Sequence, residues 1–116
     1  MKHSIIVLFL IGLLASVYGA SYDEQFARIV DGSSRQSVQQ ALGEPHTVTL
    51  GAIPEVPYWG PQEGLLEILG PKTKYEEWFY QFNGIDYYIW FGNRDGLPKD
   101  KWKVVSKASY PKGAVF

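Results

Sequence analysis

The residues best suited to acid, base or metal chemistry are few, and their spacing does not assemble a catalytic group. His46 and Glu44 could give two metal ligands, but a zinc site needs three or four and no neighbouring residue completes the set. Glu76 and Glu77 are adjacent in a predicted strand, where successive side chains point to opposite faces and cannot share one reacting atom. We therefore expect no metal and no other cofactor.

Nucleophilic catalysis is also not indicated. The chain contains no cysteine, and no Gly-x-Ser-x-Gly turn accompanies His46, the one histidine beyond the N-terminal segment. We expect a protein that is not an enzyme. The 11 basic and 12 acidic residues nearly balance, so no overall positive field favours nucleic acid. A length of 116 residues allows a single domain.

The N-terminus predicts export. Met1-Lys2-His3 precedes an apolar run of about a dozen residues, shorter than the roughly 20 that a membrane-spanning helix needs. We predict a signal peptide over residues 1–19 and a mature domain over residues 20–116, periplasmic or secreted. An uncleaved anchor is the alternative, although no basic stop-transfer cluster follows. No cysteine follows the run either, so we expect no lipid anchor.

Two short helices are predicted at the start of the mature chain. The first is capped by Ser21 with Glu24 three residues later, and its apolar positions recur at helical spacing until Gly32. The second is capped by the pair of serines at 33 and 34, and Gly43 and Pro45 end it. Both helices are too short to be stable alone, so each must pack on another element.

The remainder of the chain predicts antiparallel strands. Asn83-Gly84 lies between two aromatic runs and indicates a tight hairpin over Glu76 to Phe91. A short strand before it, over residues 46–50, and a last strand over residues 102–110 complete the sheet. Residues 53–64 hold three prolines and form a predicted extended insertion, and residues 65–69 fit either a helical turn or a strand. The fold class expected is α+β, with two helices on one face of the sheet.

The hairpin register sorts the aromatic side chains into two faces. A two-residue loop pairs Phe82 with Ile85 and Trp78 with Ile89, and this pairing makes one face apolar throughout, which must be core. The opposite face mixes polar residues with three large rings. We predict a protein-binding surface there, with a second contact at the tip of the proline-rich insertion. The candidate residues are Phe79, Tyr88, Trp90, Tyr58 and Trp59.

Two alternatives for this surface and for the sheet edge remain open. The proline-rich insertion or residues 65–69 could fold over the aromatic face and bury it as a second core. The last part of the chain, from Arg94 to Lys112, carries six basic and two acidic residues. These lysines either protect a solvated edge strand or form a docking patch. The oligomeric state is likewise left open.

A family resemblance is carried by two motifs. The run from Ile29 to Pro45, which includes Gly32-Ser33-Ser34 and Leu42-Gly43-Glu44-Pro45, resembles the helical signature of the SmpA/OmlA (BamE-like) outer-membrane assembly family. Trp78-x-Tyr80 and Tyr87-x-Ile89-x-Phe91 resemble its strand pattern. The resemblance implies a BamE-like two-layer sandwich, a periplasmic site and a role as a non-catalytic binding or scaffold protein of the cell envelope with an envelope protein partner.

A second resemblance implies a different role. Leu-Gly-x-Pro after a capped helix, followed by an antiparallel sheet, is also similar to the repeat of secreted β-lactamase inhibitory proteins, which bind an enzyme through the open sheet face. The alternative function is therefore a secreted inhibitor of a hydrolase, such as a β-lactamase or a lysozyme.

Overall fold

A computed structural model describes residues 21–54, 60–62, 64–93 and 96–114 of the chain. Within these residues the order is α1 (Tyr22–Arg28), α2 (Arg35–Leu42), β1 (Thr47–Ala52), α3 (Leu65–Leu69), β2 (Lys74–Phe82), β3 (Ile85–Gly92), a 3-10 turn (Lys99–Lys101) and β4 (Lys103–Pro111). The strands form one antiparallel sheet in the order β1-β2-β3-β4. The predicted α+β class is thus confirmed.

The helix starts follow from their capping residues. The Ser21 hydroxyl accepts the Glu24 backbone N–H at 3.2 Å, and the Ser34 hydroxyl accepts the Ser37 N–H at 3.1 Å. Gly43 ends α2 with a positive φ of 84°. The first helix is shorter than predicted, because the chain is already extended at Ile29. Val30, which fits the helical spacing, consequently lies outside the helix and is exposed.

The predicted hairpin register is confirmed residue by residue. Phe82 pairs with Ile85 and Trp78 with Ile89, and the turn residues Asn83 and Gly84 have φ values of 55° and 79°. Positive φ at both central positions is what a type I′ turn requires, and glycine adopts it without a Cβ clash. The strands extend beyond the prediction, since β2 already begins at Lys74.

The larger core lies on the apolar face of the hairpin. It joins sheet residues to apolar residues of the first 42 positions: Phe26, Ile29, Val38, Leu42, Trp78, Tyr80, Tyr87, Ile89, Phe91, Trp102 and Val104. The rings of Phe26 and Tyr87 lie 4.9 Å apart between centroids. Phe82 was expected in this core, but it is half exposed at the end of β2, where it stacks on Tyr22.

A second, smaller core forms on the opposite face of the sheet. It contains Ile53, Leu65, Tyr75, Trp90 and Val105, with Leu66 and Leu69 packed against it. Residues 65–69, which fit either a helical turn or a strand, are the helix α3. The expectation that this face looks outward is therefore wrong for the half that α3 covers.

Candidate functional site

The predicted binding surface divides into a covered and an open half. Trp90 belongs to the covered half, since only 1% of its surface is exposed. Its indole N–H donates to the Glu77 carboxylate at 2.9 Å, and the Gln62 side-chain amide donates to the same oxygen at 2.5 Å. The prediction that Trp90 offers its ring to a partner is thus corrected, because the chain's own segments bury the ring and satisfy its polar atom.

The open half keeps the other two predicted rings of the hairpin. Phe79 and Tyr88 face each other across β2 and β3, with ring centroids 5.2 Å apart, and both are half-buried. Tyr110 of β4 adds a third half-buried ring, 6.1 Å from Tyr88 in an edge-on arrangement. We call Phe79, Tyr88 and Tyr110 the open aromatic patch. The patch crosses three strands near the hairpin turn.

The position of each ring in the patch is fixed by its strand and its neighbours. Tyr88 stacks on the buried Trp90 at 5.6 Å with an interplanar angle of 11°, so the second core supports the patch from one side. Tyr110 lies opposite Asp86, two pairs nearer the hairpin turn than the pair of Tyr88 with Ala108, and therefore on the same face. Rings held by a sheet lose little conformational freedom when a partner binds.

Polar groups border the patch at the hairpin end. The Gln81 side-chain amide donates to the Asp86 carboxylate at 2.9 Å, directly across the β2–β3 pair. Burial raises the pKa of the Tyr88 hydroxyl, and the nearby carboxylates of Asp86 and Glu77 add to this shift. The Tyr88 hydroxyl therefore stays protonated, and remains a hydrogen-bond donor, to a higher pH than an ordinary tyrosine. It lies next to the amide and carboxylate groups that border the patch.

The sequence interpretation missed Tyr110 as a member of the patch. The alternation of side chains along a strand places Ala108 and Tyr110 on one face of β4. The sequence does not give the register of β4 against β3, so it does not show that this face is the one that carries Tyr88. Earlier in β4 the register shifts between the pair of Phe91 with Val104 and the pair of Trp90 with Ser106. A strand bulge of this kind has no local sequence signature that could have fixed which face Tyr110 occupies.

The second predicted contact, Tyr58-Trp59, lies outside the described residues, as does the predicted signal peptide over residues 1–19. Both ends of the proline-rich insertion are nevertheless anchored, since Ile53 and Leu65 are buried in the second core. None of the helices in the described part of the chain combines the length and apolar character that a membrane span requires.

The groups considered for chemistry occupy structural positions. The Nδ1 atom of the exposed His46 accepts the Gln81 backbone N–H at 3.2 Å, and the Glu44 carboxylate accepts from the Gln39 amide. Glu76 and Glu77 lie on opposite faces, Glu76 paired with Arg35 and Glu77 with Trp90. Among the described residues, no three His, Asp or Glu side chains are grouped so that they could hold a metal ion.

The comparisons with known proteins assign this chain to no family and no fold. No family model, no curated protein and no solved structure matches this chain. The case for a function therefore depends on the residues of the open aromatic patch and on the motifs in the sequence.

Proposed function

We propose that this chain is a non-catalytic exported protein of the bacterial cell envelope, which binds an envelope protein through the open aromatic patch. The observation that carries the proposal is the row of three half-buried rings on one sheet face, bordered by Gln81 and Asp86. Aromatic rings at the centre of a contact and polar groups at its rim are the composition of energetically dominant interface sites.

The envelope location is supported by sequence features. The basic start and apolar run of residues 1–19 are typical of a secretory signal, and the motifs around Gly32 and Leu42 resemble those of the SmpA/OmlA (BamE-like) family. The two-layer BamE-like sandwich that we propose is supported by the contact of Phe26 with Tyr87. It is also supported by the apolar residues that α1 and α2 contribute to the larger core.

The test compares a patch variant with a matched control in a binding experiment. Phe79→Ala/Tyr88→Ala removes two rings of the patch, whereas Phe82→Ala removes an aromatic ring that is 50% exposed on the other face. Proteins crosslinked to the wild-type chain in envelope fractions would be identified by mass spectrometry, and the leading candidate would be purified and titrated. We expect at least a tenfold loss of affinity in the double variant and less than a twofold loss in the control.

Three outcomes would decide against the proposal. Equal binding by the double variant and the wild type would remove the patch from the contact. A mature N-terminus at Met1, with the protein recovered from the cytoplasm, would remove the envelope location. Nanomolar inhibition of a lysozyme, protease or β-lactamase by the purified protein would instead support the alternative function of a secreted hydrolase inhibitor, which would use the same patch.

A further inference from the structure

The two edges of the sheet differ in how they are protected against pairing with another strand. The β4 edge carries Lys103 and Lys107, ends in Pro111 and is distorted by the register shift against β3. Charges, proline and bulges are the devices that keep an edge strand unpaired. The β1 edge, Thr47–Ala52, has no charged residue and no proline in its six positions. It thus lacks each of these devices.

The backbone of β1 presents hydrogen-bonding groups at this edge. Ile53 donates its N–H to the Thr73 carbonyl at 2.9 Å, so the odd-numbered residues of this segment face β2. Because the direction alternates along an antiparallel strand, the N–H and C=O groups of Val48 and Leu50 point away from β2. The side chains of these two residues are 53% and 54% exposed. An apolar edge strand whose N–H and C=O groups point outward in this way can pair with another strand.

We propose that the occupant is a second copy of this chain, which adds its own β1 antiparallel to the first. In the register that we propose, the two-fold axis passes between the two copies of Thr49. Val48 of each copy then lies opposite Leu50 of the other. This register matches the two exposed apolar side chains on both sides of the axis and joins two four-stranded sheets into one.

Charge complementarity favours a second copy as the occupant. Glu44 is exposed just before β1, and Lys74 is exposed beside Ala52 at the far end of the strand. An antiparallel pair brings the Glu44 end of each copy to the Lys74 end of the other, so opposite charges meet twice. The uncharged strand itself adds no repulsion. This inference goes beyond the proposed function and does not depend on it.

The first test is the mass of the protein in solution. A short strand pair buries little area, and we expect a dimer that forms at high protein concentration and dissociates on dilution. Sedimentation equilibrium over a concentration series should therefore show a mass that rises to twice the monomer value. Leu50→Lys should abolish the rise, whereas Val30→Lys, which charges another exposed apolar position, should leave it unchanged. A monomer mass at every concentration would overturn the proposal.

The second test reports the register and does not require the edge to be altered by a charge. The chain has no cysteine, so Thr49→Cys introduces a single thiol at the proposed axis. Ser109→Cys, exposed on β4, is the matched control. Mild oxidation should convert most of the Thr49→Cys protein to a disulfide-linked dimer, at least tenfold faster than the control. Equal rates would contradict pairing through β1.

The third test addresses the charges of Glu44 and Lys74, which lie at the two ends of β1. Glu44→Lys should weaken the dimer by about tenfold, and Glu44→Lys/Lys74→Glu should restore it, because the reversed pair again places opposite signs together. If the reversed pair is as weak as the single variant, the antiparallel orientation is wrong.

Discussion

Trp90 and Glu77 are joined across the β2–β3 pair by a hydrogen bond of 2.9 Å from the indole N–H to the carboxylate. This bond lets a large ring with a polar atom be buried at 1% exposure on a sheet face that also carries charged residues. Because α3 covers the same region, Trp90 contributes to stability and the open aromatic patch is left to Phe79, Tyr88 and Tyr110.

Removing this ring should destabilise the protein strongly. Trp90→Ala leaves a cavity in the second core, and we expect a loss of about 3–5 kcal/mol in the free energy of unfolding. Phe82→Ala is the control, with an expected loss of about 1 kcal/mol, because half of that ring is already exposed. Urea denaturation of both variants measures the difference. Similar midpoints for the two would mean that α3 does not bury Trp90.

The ion pair between Arg35 and Glu76 gives a second prediction. Glu76 is 5% exposed, and the Arg35 guanidinium lies 5.3 Å from the centroid of the Phe91 ring. Arg35→Met would leave the buried carboxylate without its cation, at an expected cost of about 3 kcal/mol. Arg35→Met/Glu76→Leu should recover most of this loss.

Arg28→Met is the control for the ion pair, because Arg28 is exposed and the expected change is below about 0.5 kcal/mol. Denaturation midpoints of the four proteins test the pair. If the double variant were less stable than Arg35→Met alone, the cost would come from lost packing and not from an unpaired charge.

The buried tyrosines predict that the protein loses stability in alkali. Burial raises the pKa of Tyr22 to about 12, from an ordinary value of 10.0. Burial and the hydrogen bond to Asp23 raise the pKa of Tyr87 further in the same direction. The folded state therefore holds these protons more tightly than the unfolded chain. The stabilisation is present below about pH 10 and is lost as the pH rises towards 12.

Urea midpoints measured between about pH 9 and pH 11 would test the tyrosine effect. The lowered pKa of Lys107 acts with the opposite sign, but it is one group against several tyrosines. Tyr87→Phe removes one of these groups and should make the decline shallower. A midpoint that rises over this range would contradict the prediction.

Lys107 connects the last strand to the end of the first helix. Its ammonium group donates to the Phe26 carbonyl at 2.7 Å and to the Ala27 carbonyl at 3.2 Å, and it lies 4.7 Å from the centroid of the Phe26 ring. Lys107→Met keeps an apolar stem but removes the donors. We expect a loss of about 2 kcal/mol, because hydrogen bonds from charged groups are the stronger kind.

Hydrogen exchange localises the effect of this substitution. Protection of the α1 amides should fall in Lys107→Met and should be unchanged in Lys103→Met, which alters an exposed lysine of the same strand. Equal protection in both variants would show that the lysine does not hold the helix. The basic character of β4 would then serve only to protect the edge.

The hairpin could be predicted from the sequence because its information is local. Asn83-Gly84 determines the turn, and the turn determines the register of β2 and β3. Alternation also placed Phe79 and Tyr88 on the correct face. Whether that face is open could not be predicted. A short, mostly apolar run such as Leu65–Leu69 fits the periodicity of a helix and of a strand equally well, and its packing against Trp90 depends on the tertiary structure. The patch was therefore predicted in part, with Trp90 wrongly included and Tyr110 omitted.

The bond between Lys107 and Phe26 spans 81 residues, although each strand of the sheet pairs with the next one along the chain. The two strands of the hairpin precede β4 in the chain and can pair before β4 has been synthesised, whereas α1 gains the contact with Lys107 only after β4 has been synthesised. The larger core consequently cannot be completed before β4, which also supplies Val104, is in place. Until β4 is in place, Phe26 therefore lacks the ammonium group that contacts its ring and its carbonyl in the folded domain.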